Sequence, residues 1–176
     1  MGNLRGRVIL LNGTSSSGKS SFAEALRPHL AAQFNYYSSD QLAGAKFRPL
    51  KADVRFACRE SFFKGFHHSI AAFAGSGNDL LIEHIVERQS WADELLAVLA
   101  PYETLWVGVH APLAELERRE RLRGDRQLGE ALFHLKTHTF CRYDVEINTI
   151  NPNDMNVALV VEAWQRRFGP FEATTS

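Results

Sequence analysis

Gly13-Thr14-Ser15-Ser16-Ser17-Gly18-Lys19-Ser20 matches the pattern G-x-x-x-x-G-K-[ST] at every position. Glycines at both ends let the backbone turn tightly and approach an anion closely. Successive N–H groups then point at phosphate oxygens, and the helix that follows adds the positive end of its dipole. In this pattern the lysine bridges the outer phosphates and the last hydroxyl holds a divalent cation. With Gly near 7% of average composition, a chance match in a chain this long is on the order of one in a hundred. Context sharpens the match, because it follows the apolar run Val8-Ile9-Leu10-Leu11 and opens a segment of helical period. The expected phosphate-binding set is Gly13, Thr14, Ser15, Ser16, Ser17, Gly18, Lys19, Ser20 and Ser21.

Outward from this loop, short apolar runs alternate with longer amphipathic stretches, as in an α/β protein with a parallel sheet. Strands are predicted near Arg7–Asn12, Asn35–Ser39, Asp79–Val86, Thr104–His110 and Asp144–Asn148. Most are continuously apolar, which suits parallel strands covered on both faces. Helices are predicted from Gly18-Lys19 to about Gln33 and over Ala52–Ala74. The second carries Val54, Cys58, Phe62, Phe66, Ile70 and Phe73 at steps of three and four. A third opens with Ser90 as its cap and Asp93 three residues later. A fourth runs from Ala111-Pro112 to about Gly124, a fifth over Gly129–Arg142, and a last over Asn153–Phe168, stopping at Gly169-Pro170.

The 176 residues suit one domain, 1–176, with a sizeable core. Twenty Lys and Arg balance twenty Asp and Glu, so no overall pull toward polyanions exists and a nucleic-acid partner is disfavoured. Cys58 and Cys141 are too few for a disulfide framework and are not spaced as metal ligands. The N-terminal apolar run is shorter than a signal-peptide core and far below a membrane span. Gly6 stands where acylation would require Ser or Thr. A cytoplasmic, reduced protein without a membrane partner is the expectation.

The chain resembles the chloramphenicol phosphotransferase family, P-loop kinases related in fold to shikimate and nucleoside monophosphate kinases. The resemblance rests on residues 9–20, Ser39-Asp40, Leu105-Trp106-Val107-Gly108-Val109, Arg123-Gly124-Asp125-Arg126, and Tyr143 to Thr149. It spans residues 9 to 149. It implies a three-layer fold with a five-stranded parallel sheet of order 2-3-1-4-5 between helices and a small lid at about 118–130. It also implies ATP and Mg²⁺ as co-substrates, a small hydroxylated acceptor, and antibiotic resistance as a setting.

Asp40 follows the second strand, at the carboxyl edge where open α/β sheets bind ligands. A carboxylate there can take the acceptor's proton, and the family's general base falls at this position; a helix cap is the other reading. Glu83 ends the third strand, where an acidic residue serves Mg²⁺ together with Ser20. The family pattern places acidic residues together here, whereas this chain has Glu83-His84, so His84 is either an acceptor contact or a plain strand-end residue.

Five arginines crowd Arg118 to Arg126. Guanidinium forks match the charge spread of a phosphoryl-transfer transition state. The resemblance selects Arg123 and Arg126 for that work beside Lys19; Arg118, Arg119 and Arg121 are expected on a solvated face paired with Glu115, Glu117 and Glu120.

Asn148 to Pro152 is either an adenine loop or a simple turn. Gln41–Arg59, with Lys46, Phe47, Arg48 and Phe56, together with Val86-Glu87-Arg88, lines the acceptor pocket or belongs to the core. His134 and His138 lack an evident third metal ligand and read as surface or core residues.

The leading expectation is an ATP-dependent phosphotransferase acting on a small alcohol, resembling chloramphenicol 3-O-phosphotransferase. A different alcohol or a sugar acid as acceptor, and a non-catalytic nucleotide-binding regulator, are the alternatives. Association with further copies of the chain is open.

Overall fold

The computed structural model describes residues 5–30, 34–123 and 129–171. Its centre is β1 (Val8–Asn12), in which Val8, Ile9, Leu10 and Leu11 have no exposed surface. β2 (Asn35–Ser38), β3 (Leu80–His84), β4 (Thr104–His110) and β5 (Val145–Asn148) complete a five-stranded sheet of order β2-β3-β1-β4-β5. Every pairing is parallel, with Leu11 opposite Glu83 and Val107. All five expected strands are present, and the order is the one the family resemblance implies.

Alternation along β1 sends side chains to two cores. Ile9 and Leu11 pack with Phe22, Leu26, Val160 and Trp164 on one face. Val8 and Leu10 pack with Phe66, Ile70, Leu95 and Trp91 on the other. Each buried aliphatic side chain contributes about 1.5–3 kcal/mol of transfer free energy. At the sheet's other end, Asp79 is 4% exposed. It accepts the backbone N–H of Arg7 at 2.7 Å and its guanidinium at 2.5 and 3.0 Å, pinning the starts of β1 and β3 together.

Several helices are shorter than expected, each for a local reason. α1 (Lys19–Leu26) gives way to a 3₁₀ turn over Arg27–His29, because Pro28 lacks an N–H and crowds the preceding turn. The single helix predicted over Ala52–Ala74 is two, α3 (Ala52–Ala57) and α4 (Arg59–Gly75), broken at Cys58. Of its predicted face, Phe66 and Ile70 are buried, while Val54 at one end is 39% exposed and Phe73 at the other 48%.

α2 (Ser39–Gly44) was foreshadowed only by the cap reading of Asp40. α5 (Gln89–Leu99) starts at Arg88 without a side-chain cap, so Ser90 does not cap it; Asp93 instead accepts from Gln89 Nε2 at 2.9 Å. α6 (Leu113–Arg123) follows Pro112. The predicted 129–142 helix is split into α7 (Glu130–His134) and α8 (Thr137–Phe140). α9 (Asn153–Phe168) runs as expected and ends at Gly169, whose φ is +85°. None of the described helices is long and apolar enough to cross a membrane.

Candidate active site

The carboxyl edge of the sheet opens into a cavity of about 650 Å³. Its floor is the loop after β1. Gly13 lies so close to β4 that a Cβ there would sit 2.3 Å from the Val109 carbonyl oxygen. Gly18 adopts φ +91° at the cap of α1, a left-handed conformation open to glycine at little cost. Thr14 Oγ1 donates to the Ala131 carbonyl at 2.6 Å and so ties the loop to α7. Lys19 is 6% exposed, and its ammonium donates to the carbonyls of Gly13 (2.9 Å) and Thr14 (2.8 Å). Residues Ser15 to Ser21 line the cavity. The buried hydroxyls of Ser15, Ser16 and Ser17 have no hydrogen-bond partner, although buried polar atoms are nearly always paired. A cradle of unsatisfied hydroxyls beside a helix N-terminus and a lysine fits a polyphosphate.

Asn12, the last residue of β1, is fully buried and braces this edge. Its Oδ1 accepts from the Val86 N–H (2.9 Å) and Thr137 Oγ1 (3.0 Å), while its Nδ2 donates to the Tyr143 hydroxyl at 2.7 Å.

Glu83 stands above the loop. Ser20 Oγ donates to its Oε1 at 2.9 Å, and the Tyr36 hydroxyl donates to its Oε2. Burial and then the Glu83 carboxylate push the Tyr36 hydroxyl well above its ordinary value, so it stays a donor. A hydroxyl and a carboxylate in contact are hard oxygen ligands of the kind Mg²⁺ takes one or two at a time. Tyr36 was not legible as a site residue: it reads as one more aromatic in a strand until the register places Tyr36 beside β3.

Asp40 lines the same cavity. It does not cap α2. Ser38 does, accepting from Gln41 N at 3.2 Å while Gln41 Oε1 accepts from Ser38 N at 2.9 Å. Phe63, His84, Glu87 and His134 line the same cavity. Burial alone would raise the Glu87 carboxyl, but His134 and the Arg59 guanidinium hold it below the usual range. Cavity residues from 41–59 are absent among the described ones, and Phe47 and Phe56 are 69% and 81% exposed. Of the residues expected to line the acceptor pocket, Glu87 is the one that lines this cavity, and Phe63 of α4 joins it.

The arginine-rich segment divides differently from expectation. Arg118 is an exposed partner of Glu115 at 2.7 Å. Arg119 also contacts Glu115, yet it reaches the cavity, donating to the Ser16 carbonyl (3.3 Å), Thr149 Oγ1 (2.9 Å) and the Thr149 carbonyl (3.2 Å). Glu120 is no surface partner: 1% exposed, it accepts from the N–H groups of Gly129 (3.0 Å) and Ala131 (2.5 Å) at the start of α7. Arg126 and the side chain of Arg123 lie outside the described residues, as does most of the expected lid.

Thr149, in the loop after β5, donates to the Ser17 carbonyl at 2.6 Å, and with Asn153 lines the cavity. His134 and His138 sit on separate helices with different partners, His134 beside Glu87 and His138 accepting from the Tyr143 hydroxyl at 2.8 Å. Burial pushes the Cys141 thiol up to about 12, leaving it inert.

Comparison with known proteins places this site in a family. A protein found in two strains of Mycobacterium tuberculosis, whose name proposes without establishing an O-phosphotransferase, is 27% identical over 169 residues. The match covers 82% of this chain and 75% of that protein. Among solved structures, the M. tuberculosis APS kinase in complex with AMPPNP and APS superposes with a TM-score of 0.66 at 17% identity, covering 92% of this chain and 98% of that one. A gluconokinase from Sinorhizobium meliloti gives 0.60 at 16% identity, covering 93% and 94%. The tunicamycin resistance protein of Deinococcus radiodurans gives 0.64 at 15%, covering 97% and 100%. At these identities the structures speak for the P-loop kinase fold alone. The family model for chloramphenicol phosphotransferase-like proteins matches residues 6–165, all five strands and the loops between them, and the kinase described above belongs to that family.

Proposed function

We propose that the protein transfers the γ-phosphoryl group of ATP, with Mg²⁺, to a hydroxyl of a small molecule. One observation carries this reading: the loop lysine, the Ser20–Glu83 pair and Asp40 all line a single cavity. In the reaction the acceptor oxygen forms a bond to the γ-phosphorus and the bond to the β,γ-bridging oxygen breaks, leaving ADP. Asp40 accepts the acceptor's proton as that bond forms. Lys19, released from the loop carbonyls it now touches, balances charge on the transferred group. Ser20 and Glu83 would hold Mg²⁺, which supplies charge neutralisation at the outer phosphates. Tyr36 keeps Glu83 aimed, and Arg123 and Arg126 are proposed from the sequence to close over the phosphates. Thr149 and Asn153 border the nucleotide half of the cavity.

The family suggests chloramphenicol as a first acceptor to try, with inactivation of such a compound in the cytoplasm as the biological setting. A different alcohol or a sugar acid would use the same machinery. The test is purified protein with ATP and Mg²⁺, incubated with chloramphenicol and a panel of hydroxylated compounds, with mass spectrometry for products gaining one phosphate. A phosphorylated product is expected, and Asp40→Asn is expected to bind ATP normally while losing transfer by about 10²–10⁴-fold. Undiminished transfer by that variant would remove Asp40 from the mechanism. ATP binding without any product would favour a nucleotide-dependent regulatory role.

A further inference from the structure

Leading away from His84 at the cavity wall, three side chains from different elements form a continuous hydrogen-bonded series. Glu94 of α5 meets His67 of α4, with Oε2 2.7 Å from Nδ1; His67 Nε2 lies 3.0 Å from Nε2 of His84 at the end of β3. His67 is fully buried and His84 is 2% exposed. Trp91 stacks on the His84 ring at 5.8 Å between centroids, and Phe63 and Phe66 pack around it at 5.7 and 5.2 Å. This packing holds the ring in one orientation. His84 lines the cavity and His67 does not. The second ring nitrogen of His84, Nδ1, is buried and has no hydrogen-bond partner.

The proton positions follow from the ends of the series. Glu94 can only accept, so His67 Nδ1 carries the proton. A neutral His67 then offers a lone pair at Nε2, and His84 Nε2 must donate to it. That leaves a lone pair on His84 Nδ1. Burial opposes a positive charge on either ring, and Lys19 and Arg59 add to this at His84. The charged and titratable groups acting on the two rings are Lys19 from α1, Arg59, Glu60 and His68 from α4, and Glu94 from α5; Glu94 holds His67 at 2.7 Å and His68 at 3.3 Å. A buried acceptor without a partner, in a residue that borders a cavity, is a position waiting for a donor.

Resting on the phosphotransferase reading above, we infer that the Glu94–His67–His84 series fixes His84 as the Nε2–H tautomer so that its Nδ1 accepts a hydrogen bond from the acceptor molecule. The acceptor therefore carries a second hydroxyl or an N–H group besides the hydroxyl that is phosphorylated. His84 is a specificity-determining residue, and His67 and Glu94 act through it as positioning residues. A site that accepts from a substrate donor discriminates strongly against analogues lacking it, because its own buried atom is then left unpaired.

The test has two arms. In the first, ¹⁵N-histidine-labelled protein with Mg²⁺ and AMPPNP is titrated with glycerol and with chloramphenicol, following the long-range ¹H–¹⁵N signals of His84. Nδ1 is expected to be the ring nitrogen without a proton at pH 7.5 and to shift upfield saturably with at least one probe. Protonated Nδ1 in the free protein, or an unmoved Nδ1 with both probes, overturns the inference.

The second arm uses the acceptor phosphorylated in the compound screen. Asn places its amide oxygen where Nδ1 stood, whereas Gln places its amide nitrogen where Nε2 stood. His84→Gln should raise the acceptor KM about tenfold or more, with the ATP KM unchanged, and His84→Asn should remain closer to the unsubstituted protein. The reverse order would make His84 a packing residue. Failure of the phosphotransferase reading itself looks different: no product forms with the unsubstituted protein, whatever His84 does in the spectra.

Discussion

Glu120→Ala is expected to lower stability by about 2–4 kcal/mol, through one helix start. The carboxylate is 1% exposed and accepts two backbone N–H groups that open α7. Hydrogen bonds to charged groups contribute roughly 1.5–3 kcal/mol each when the partner is left buried. Ala131 is buried, so its N–H bears that loss in full. Gly129 is exposed, and water can replace most of its bond. For a chain of this size, about 2–4 °C of Tm accompanies each kcal/mol, so a fall of roughly 4–16 °C should appear by calorimetry. Glu120→Gln, whose amide oxygen serves only one N–H, should lose about half as much. Because Ala131 also holds Thr14 of the phosphate loop at 2.6 Å, ATP affinity should weaken along with stability. Arg118→Ala is the control: its ion pair with Glu115 is 57% exposed on the arginine side and solvent-screened, so its loss should leave Tm nearly unchanged. If Glu120→Ala and Arg118→Ala melt together, Glu120 does not cap α7 and the argument fails.

Two further outcomes follow from the loop and the buried histidines. Gly18→Ala must adopt φ +91° and bring its Cβ to 3.1 Å from Arg119 Nη1 and 3.3 Å from Thr149, so about 1–2 kcal/mol of strain and weaker ATP binding are expected; an alanine variant binding ATP as tightly as the glycine protein would refute this. His67, His84 and His138 are all pushed below their ordinary value by burial, His138 to about 4 with help from His110 and Lys19. The unfolded chain takes up protons near pH 6.5 that the folded one refuses. Stability is therefore fully present above pH 6.5 and declines as pH falls from there toward 4. Urea midpoints should drop across that window, less steeply in His138→Asn; a midpoint that rises on acidification would contradict the burial argument.

The sequence by itself determined the sheet and the phosphate loop, because both are written in local terms. A four-residue apolar run that is buried on both faces, a G-x-x-x-x-G-K-S match and a run of alternating elements need no knowledge of distant residues to be read. Helix limits were less legible where a proline or a break at Cys58 outweighed a periodic pattern. The tertiary structure alone decided which polar side chains meet in and around the cavity. Tyr36 beside Glu83, Arg119 against Thr149, Glu120 under α7 and the Glu94–His67–His84 series each join residues from different elements. Nothing in the spacing of Glu94 and His84 along the chain announces that His67 stands between them. A hydrogen bond depends on position to within a few tenths of an ångström, and that precision is set by how helices pack on a twisted sheet.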